Sequence, residues 1–88
     1  MKKPKLDRKS LFLSAVGSEI DKAMAKYPWP NPNLAALTEE VWELAKAMLE
    51  KKPHEVVLEA IQVAAMAARC ALEGDPQFME YDGKWRTK

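Results

Sequence analysis

PHEVVLEAIQVAAMAARCALEG, residues 53–74, decides the fold. Pro53 stands where a first-turn N–H would have no partner, Glu55 lies near the positive end of a helix dipole, and Gly74 and Pro76 follow the end. The stretch therefore reads as one helix from Pro53 to about Glu73. At about 100° per residue, Glu55, Glu59, Gln62, Arg69 and Glu73 fall within roughly 80° of arc, with Met66 among them. Every other side chain from Val56 to Leu72 is apolar. The polar arc must meet water or a polar site, and most of the remaining circumference must be buried. Ala60, Ala64, Ala65, Ala67, Ala68 and Ala71 let neighbours approach closely on several sides. Two intrachain helices would hardly cover so much surface, so partner subunits are expected to complete a four-helix arrangement.

Working outward, Lys51 to Pro53 form a break, and before it Leu34, Leu37, Val41, Leu44 and Met48 repeat at 3,4,3,4 spacing. That is the core stripe of a second helix over about residues 32–51, with Asn31 as N-cap and Pro32 at the first helical position. Glu40 falls on the flank of this seam, Glu43 about 60° further round and Glu39 beyond it. Ala36 and Ala47 share the flank, leaving space for an ion or ligand beside the acids. Trp42 points away from that flank, towards a neighbouring subunit. Upstream of the Pro28, Pro30 and Pro32 cluster, Leu13, Val16, Ile20, Ala23 and Tyr27 mark a first amphipathic helix over about residues 10–27. It is expected to pack antiparallel to the second. A basic arm covers residues 1–9, and residues 75–88 form an irregular arm carrying Phe78, Met79, Tyr81 and Trp85. The expectation is a single all-α domain of three helices, completed by oligomerisation to a dimer or tetramer.

At 88 residues and 48% hydrophobic, the chain has room for one modest core. The net charge of +1, from 14 basic and 13 acidic residues, gives no overall field that would gather nucleic acid. Basic residues crowd both ends while the helices offer no basic face, so nucleic-acid binding ranks last among the partners considered. Cys70 is the only cysteine, which excludes an intrachain disulfide or a multi-thiolate metal site. The charged start lacks the pattern of a signal peptide, and no apolar run approaches the ~20 residues that span a bilayer. A cytoplasmic protein without a membrane partner is expected.

Hard divalent cations take carboxylate oxygens, and acids at i, i+3 or i, i+4 on a helix reach one ion or an adjacent pair. Glu39, Glu40 and Glu43 offer this on the second helix, and Glu55 or Glu59 with Gln62 on the third. The plainer alternative is that both stripes are solvated helix faces. It is weakened by the scarcity of balancing cations, since Lys46 alone lies within a turn of the triplet, and by the third helix, whose single polar arc holds two glutamates and a glutamine.

LAALTEEVWELAKAML (Leu34–Leu49) and EAIQVAAMAARCALEGD (Glu59–Asp75), with KYPWP before them, resemble the MazG-like all-α nucleoside triphosphate pyrophosphohydrolases, in particular short phage or prophage versions. The likeness covers about half the chain. The family motif EExxE is matched by Glu39, Glu40 and Glu43; its ExxD motif is matched at Glu59, with Gln62 in the aspartate position. The resemblance implies hydrolysis between the α and β phosphates of a nucleoside triphosphate, with Mg²⁺ or Mn²⁺. It makes Glu39, Glu40, Glu43 and Glu59 the catalytic acids. Glu40, Glu43 and Glu59 are then the principal metal ligands, Gln62 is a weak one, and Glu39 serves a second ion or the attacking water. Lys46, His54 and Arg69 are candidates for phosphate contacts. The alternative is a MazG-like module that binds nucleotide or protein without turnover, Gln62 marking the lost chemistry.

Overall fold

The computed structural model describes residues 7–80 and contains the three expected helices: α1 (Arg8–Lys26), α2 (Asn33–Leu49) and α3 (Pro53–Glu73). Arg8 and Lys9, read as part of a basic arm, already belong to α1. Tyr81, Trp85 and the remaining basic residues of both arms lie outside the described residues. Each helix has a visible reason to stop where it does. Helix α2 ends in a Schellman turn: Lys52 N–H donates to the Ala47 carbonyl and Lys51 N–H to that of Met48, while Lys51 takes the left-handed backbone such a turn needs (φ 57°). Pro53 then opens α3. At its far end Gly74 adopts φ 75° and ψ −150°, a conformation that a Cβ disfavours, which makes glycine the fitting residue there.

The start of α2 differs from the expected Asn31–Pro32 cap. The helix begins at Asn33, and Pro32 in the cap position has no side-chain acceptor to offer. The missing acceptor comes from 41 residues away: Asp75 Oδ2 accepts the Leu34 N–H at 2.8 Å. Asp75 Oδ1 accepts the Gln77 N–H at 2.9 Å, and these backbone donors hold its carboxyl below the usual aspartate value. Asp75 belongs to a short hairpin, β1 (Gly74–Asp75) antiparallel to β2 (Met79–Glu80), so the first part of the supposedly irregular tail is ordered by its duty at α2. Replacing Asp75 with alanine is expected to lower Tm by about 4–8 °C, the worth of one lost cap in a chain of this size, while asparagine, which also caps, retains most of it. Because this carboxyl titrates lower folded than unfolded, its contribution is present above the ordinary aspartate range and fades as pH falls through the depressed value. Thermal melts of both variants at pH 7 and pH 3 would check this.

Helix α3 is the centre of the unit, and both other helices pack on it. This corrects the expected antiparallel pairing of α1 with α2. It also corrects the assignment of the core stripe on α2. Ala47 and Asn33 are the buried residues of that helix, with Ala36 and Glu40 half-buried beside them; of the leucine seam, Leu37 and Leu44 are half-buried, whereas Leu34, Val41 and Met48 are exposed. The physical reason is size, because the alanine flank lets α2 approach α3 more closely than a row of leucines would. The polar arc of α3 turns inward against α1 and α2: Met66 and Arg69 are buried, and Gln62 and Glu73 half-buried. Much of its apolar side, the part expected to be covered by partner subunits, faces out in the single chain, with Val57, Leu58, Ala67, Ala71 and Leu72 exposed.

The end where α1 finishes, α2 begins and α3 finishes is tied by one polar network. Asn33, fully buried, donates through Nδ2 to the Gly74 carbonyl (2.8 Å) and to Glu73 Oε1 (3.1 Å). Arg69, also fully buried, donates through Nε to the same Glu73 oxygen (2.9 Å) and through Nη1 to the Ala23 carbonyl (3.3 Å) in the last turn of α1. A guanidinium at a helix C-terminus meets the negative end of the dipole, and the Ala23 carbonyl, which also accepts the Tyr27 N–H at 2.8 Å, uses its second lone pair for Arg69. Among the described residues no helix is long and apolar enough to cross a membrane.

Candidate functional site

Because α1 and α2 both lean on α3 and not on each other, they leave a cleft of about 560 Å³ above its polar arc. Gln62, Met66 and Arg69 form the floor. Ala36, Glu39 and Glu40 come from α2, and Glu19, Lys22 and Lys26 from α1. Tyr27 and Asn31 close the end at which the three helices are tied. The polar face of α3 thus meets a polar site shared with two other helices.

At the acidic end of this cleft, Glu40 of α2 and Glu59 of α3 stand close enough for one carboxyl to donate a hydrogen bond to the other. The Glu40 carboxyl is pushed above the usual glutamate value, first by burial, then by the negative charge of Glu59 and the hydrogen bond between the two, and further by Glu39 and Glu43. The stripes from the two helices therefore meet at this pair. They do not converge as a complete set. Glu39 and Gln62 line the cleft, whereas Glu43 and Glu59 line a separate hollow of about 90 Å³ together with Lys46, Lys52 and Glu55. Among the described residues, no three acidic, histidine or cysteine side chains are gathered closely enough to hold a metal ion.

The other candidates separate by position. Gln62 occupies the cleft floor, in the aspartate position of the motif. Glu55, on the same arc of α3, lies 3.5 Å from Lys52, which also holds Glu50 at 3.0 Å, and lines the small hollow instead of the cleft. Lys46 belongs to the small hollow beside Glu43, and His54 is exposed in the first turn of α3, lining neither cavity. Arg69 lies at the end of the cleft floor opposite the acids. Its Nη2 is 2.8 Å from Glu73 Oε1 but out of line for a hydrogen bond, and this buried amino group has no aligned acceptor among the described residues. Cys70 is half-buried, and burial raises its thiol above the ordinary value, ahead of the nearby Asp75 charge, so it is poorly suited to act as a thiolate.

Sequence reasoning missed the α1 wall. Glu19, Lys22 and Lys26 follow the helical repeat, but nothing local distinguishes a stripe beside a cleft from a solvated one. Compared with protein-family models, with curated proteins and with solved structures, the chain finds no match in any of the three.

Proposed function

We propose that the protein is a MazG-like, Mg²⁺-dependent nucleoside triphosphate pyrophosphohydrolase, cytoplasmic and homo-oligomeric, with Mn²⁺ as an alternative ion. The observation that carries this is the Glu40–Glu59 contact. Two acids on different helices, with Glu39 and Glu43 adding negative charge, adjoin at the edge of a cleft large enough for a small-molecule ligand. Such a pair is repulsive when ionised, and a divalent cation relieves the repulsion; the donor set, carboxylate oxygens with one amide carbonyl, suits Mg²⁺ or Mn²⁺. Glu40, Glu43 and Glu59 would hold the ion, Gln62 would add its carbonyl, and rotamer changes at Glu43 would bring it to the pair. The ion's chemistry would be to neutralise phosphate charge and make a bound water more acidic.

The chain's own groups do the rest. Glu39 on the cleft wall orients a water towards the α-phosphorus and takes up its proton. The water oxygen bonds to that phosphorus, the bond from it to the α–β bridging oxygen breaks, and the bridging oxygen leaves with the pyrophosphate. Nucleoside triphosphate and water become nucleoside monophosphate, pyrophosphate and a proton.

Oligomerisation draws support from the exposed apolar surface. Trp42, Met48 and Leu49 on α2 and Val57 and Leu72 on α3 are all at least 40% exposed, while among the described residues the buried apolar core is Ala47, Ala65 and Met66. A core this small is poor support for an isolated domain. Sedimentation of the full chain at micromolar concentration is expected to give a dimer or tetramer; a monomer there removes this part of the reading.

A second reading has one observation in its favour: Gln62 brings no charge to the floor where the motif calls for aspartate. It makes the protein a nucleotide-binding or protein-interaction module without turnover. Pyrophosphate release from each common nucleoside triphosphate, measured with Mg²⁺ or Mn²⁺ and with chelator, decides between them. Metal-dependent release that Glu43→Gln abolishes is expected; binding with no release under any condition would establish the module instead.

A further inference from the structure

Three cationic side chains line the cleft, and the two-carboxylate contact does not account for them: Lys22 and Lys26 on the α1 wall and Arg69 at the floor. They stand towards the end where the helices are tied, since α1 finishes there and Arg69 bonds its Ala23 carbonyl. Gln62 at the acidic end and Arg69 are seven residues apart on α3, about 10 Å along the axis, and Lys22 lies one turn nearer the acids than Lys26. The cleft is therefore polarised, negative at Glu39 and Glu40 and positive at Lys26 and Arg69. Carboxylates close to the basic group are Glu19, one turn before Lys22, and Glu73, which pairs with Arg69.

Arg69 is what distinguishes this wall from two surface lysines. Its side chain is 0% exposed, it is one of the residues lining the cleft, and its Nη2, although 2.8 Å from Glu73 Oε1, has no aligned hydrogen-bond acceptor among the described residues. A buried donor without an acceptor costs stability, so its retention at the floor of a polar cleft calls for an acceptor that arrives with a ligand. Guanidinium N–H groups match phosphate oxygens in spacing and charge, and two lysines on the opposite wall supply point charges for a second phosphate.

We propose that Lys22, Lys26 and Arg69 form an anion subsite that grips the terminal two phosphates of the substrate, placing the pyrophosphate leaving group at the basic end and the α-phosphorus over the acids. This rests on the hydrolase reading for its orientation but not for its existence. The group that carries off negative charge as the α–β bridge breaks then lies against the cations. Those cations favour the transition state over the ground state. Tyr27, with Lys26 Nζ 5.4 Å from its ring centroid, holds that lysine at the mouth by a cation–π contact.

The test is calorimetric titration of the full chain with inorganic pyrophosphate, with and without Mg²⁺, in wild type, in the double variant Lys22→Ala/Lys26→Ala and in Arg69→Lys. Both lysines are exposed, so the double variant should fold normally, which circular dichroism verifies. Wild type is expected to bind pyrophosphate, at least tenfold more tightly than the double variant, with Arg69→Lys in between and an affinity that falls as salt rises. Absence of binding in both metal conditions, or equal affinity in wild type and double variant, overturns the subsite. Turnover measured in parallel separates the two ideas. Lysine-dependent pyrophosphate binding without nucleotide hydrolysis leaves the subsite standing and the hydrolase fallen, and hydrolysis with KM and kcat unmoved by the double variant does the reverse.

Discussion

Glu59→Gln and Glu40→Gln are each expected to reduce pyrophosphate release at least 100-fold, a loss of about 2.7 kcal/mol of transition-state stabilisation, and at the same time to make the metal-free protein more stable. The two effects share one cause. At neutral pH the adjoining carboxylates are held in contact against their repulsion. The sign follows from the direction of the Glu40 shift. A carboxyl titrating higher folded than unfolded adds stability only while it carries its proton, fully below the ordinary glutamate range, and loses that contribution as pH rises through the elevated value. Above that elevated value the Glu40 charge beside Glu59 is a net cost. An amide in place of either acid leaves a carboxylate that accepts a hydrogen bond from its neighbour, and Tm of the metal-free protein should rise by about 2–5 °C at pH 7. At pH 4 that gain should shrink. Mg²⁺ at a hundredfold excess over its dissociation constant stabilises a binding-competent fold by about 2.7 kcal/mol, so a Mg²⁺-dependent rise in Tm is expected for wild type and not for either variant. Equal Mg²⁺ response in all three proteins would separate the acid pair from any role in holding the ion.

Arg69→Ala carries the largest expected cost to the fold, about 3–5 kcal/mol, because it leaves the half-buried Glu73 without its cation and removes the bond that ties α3 to the end of α1. Domains of ordinary stability have only about 5–15 kcal/mol in total, so this variant should be substantially unfolded or strongly urea-sensitive at 25 °C. Much of that loss comes from the charge left behind and not from the pair as such. Combining Arg69→Met with Glu73→Gln should therefore recover a good part of it, since glutamine still offers an oxygen to Asn33 and leaves no stranded carboxylate. Urea denaturation of the single and double variants supplies the comparison. A single variant as stable as wild type would mean that Arg69 does not tie the three helices together.

The link between these predictions is that Arg69 serves two ends of one molecule. Through Nε and Nη1 it joins α3 to α1 and, by way of Glu73, to Asn33 of α2, and it also lines the cleft beside this joint. The clasp places Lys26 and Tyr27 opposite the start of α2, and the α2–α3 contact places Glu40 against Glu59.

Local chemistry in the chain determined the three helices, their breaks at the proline clusters and at Lys51 to Pro53, the glycine stop of α3 and the grouping of Glu59, Gln62 and Arg69 on a single arc. These depend on 3.6-residue periodicity and on residues that cap or cannot continue a helix, all expressed within a few positions. Tertiary structure alone decided that α1 lies on α3 and not on α2, that the deepest burial on α2 falls at Asn33 and Ala47 beside its leucine seam, that Asp75 caps a helix beginning 42 positions earlier, at Asn33, and that Lys22 and Lys26 share a cleft with Glu39 and Glu40. A helical pattern states which residues share a face. Which face is covered, and by what, depends on how closely whole helices can approach one another, and that is a property of all three surfaces together.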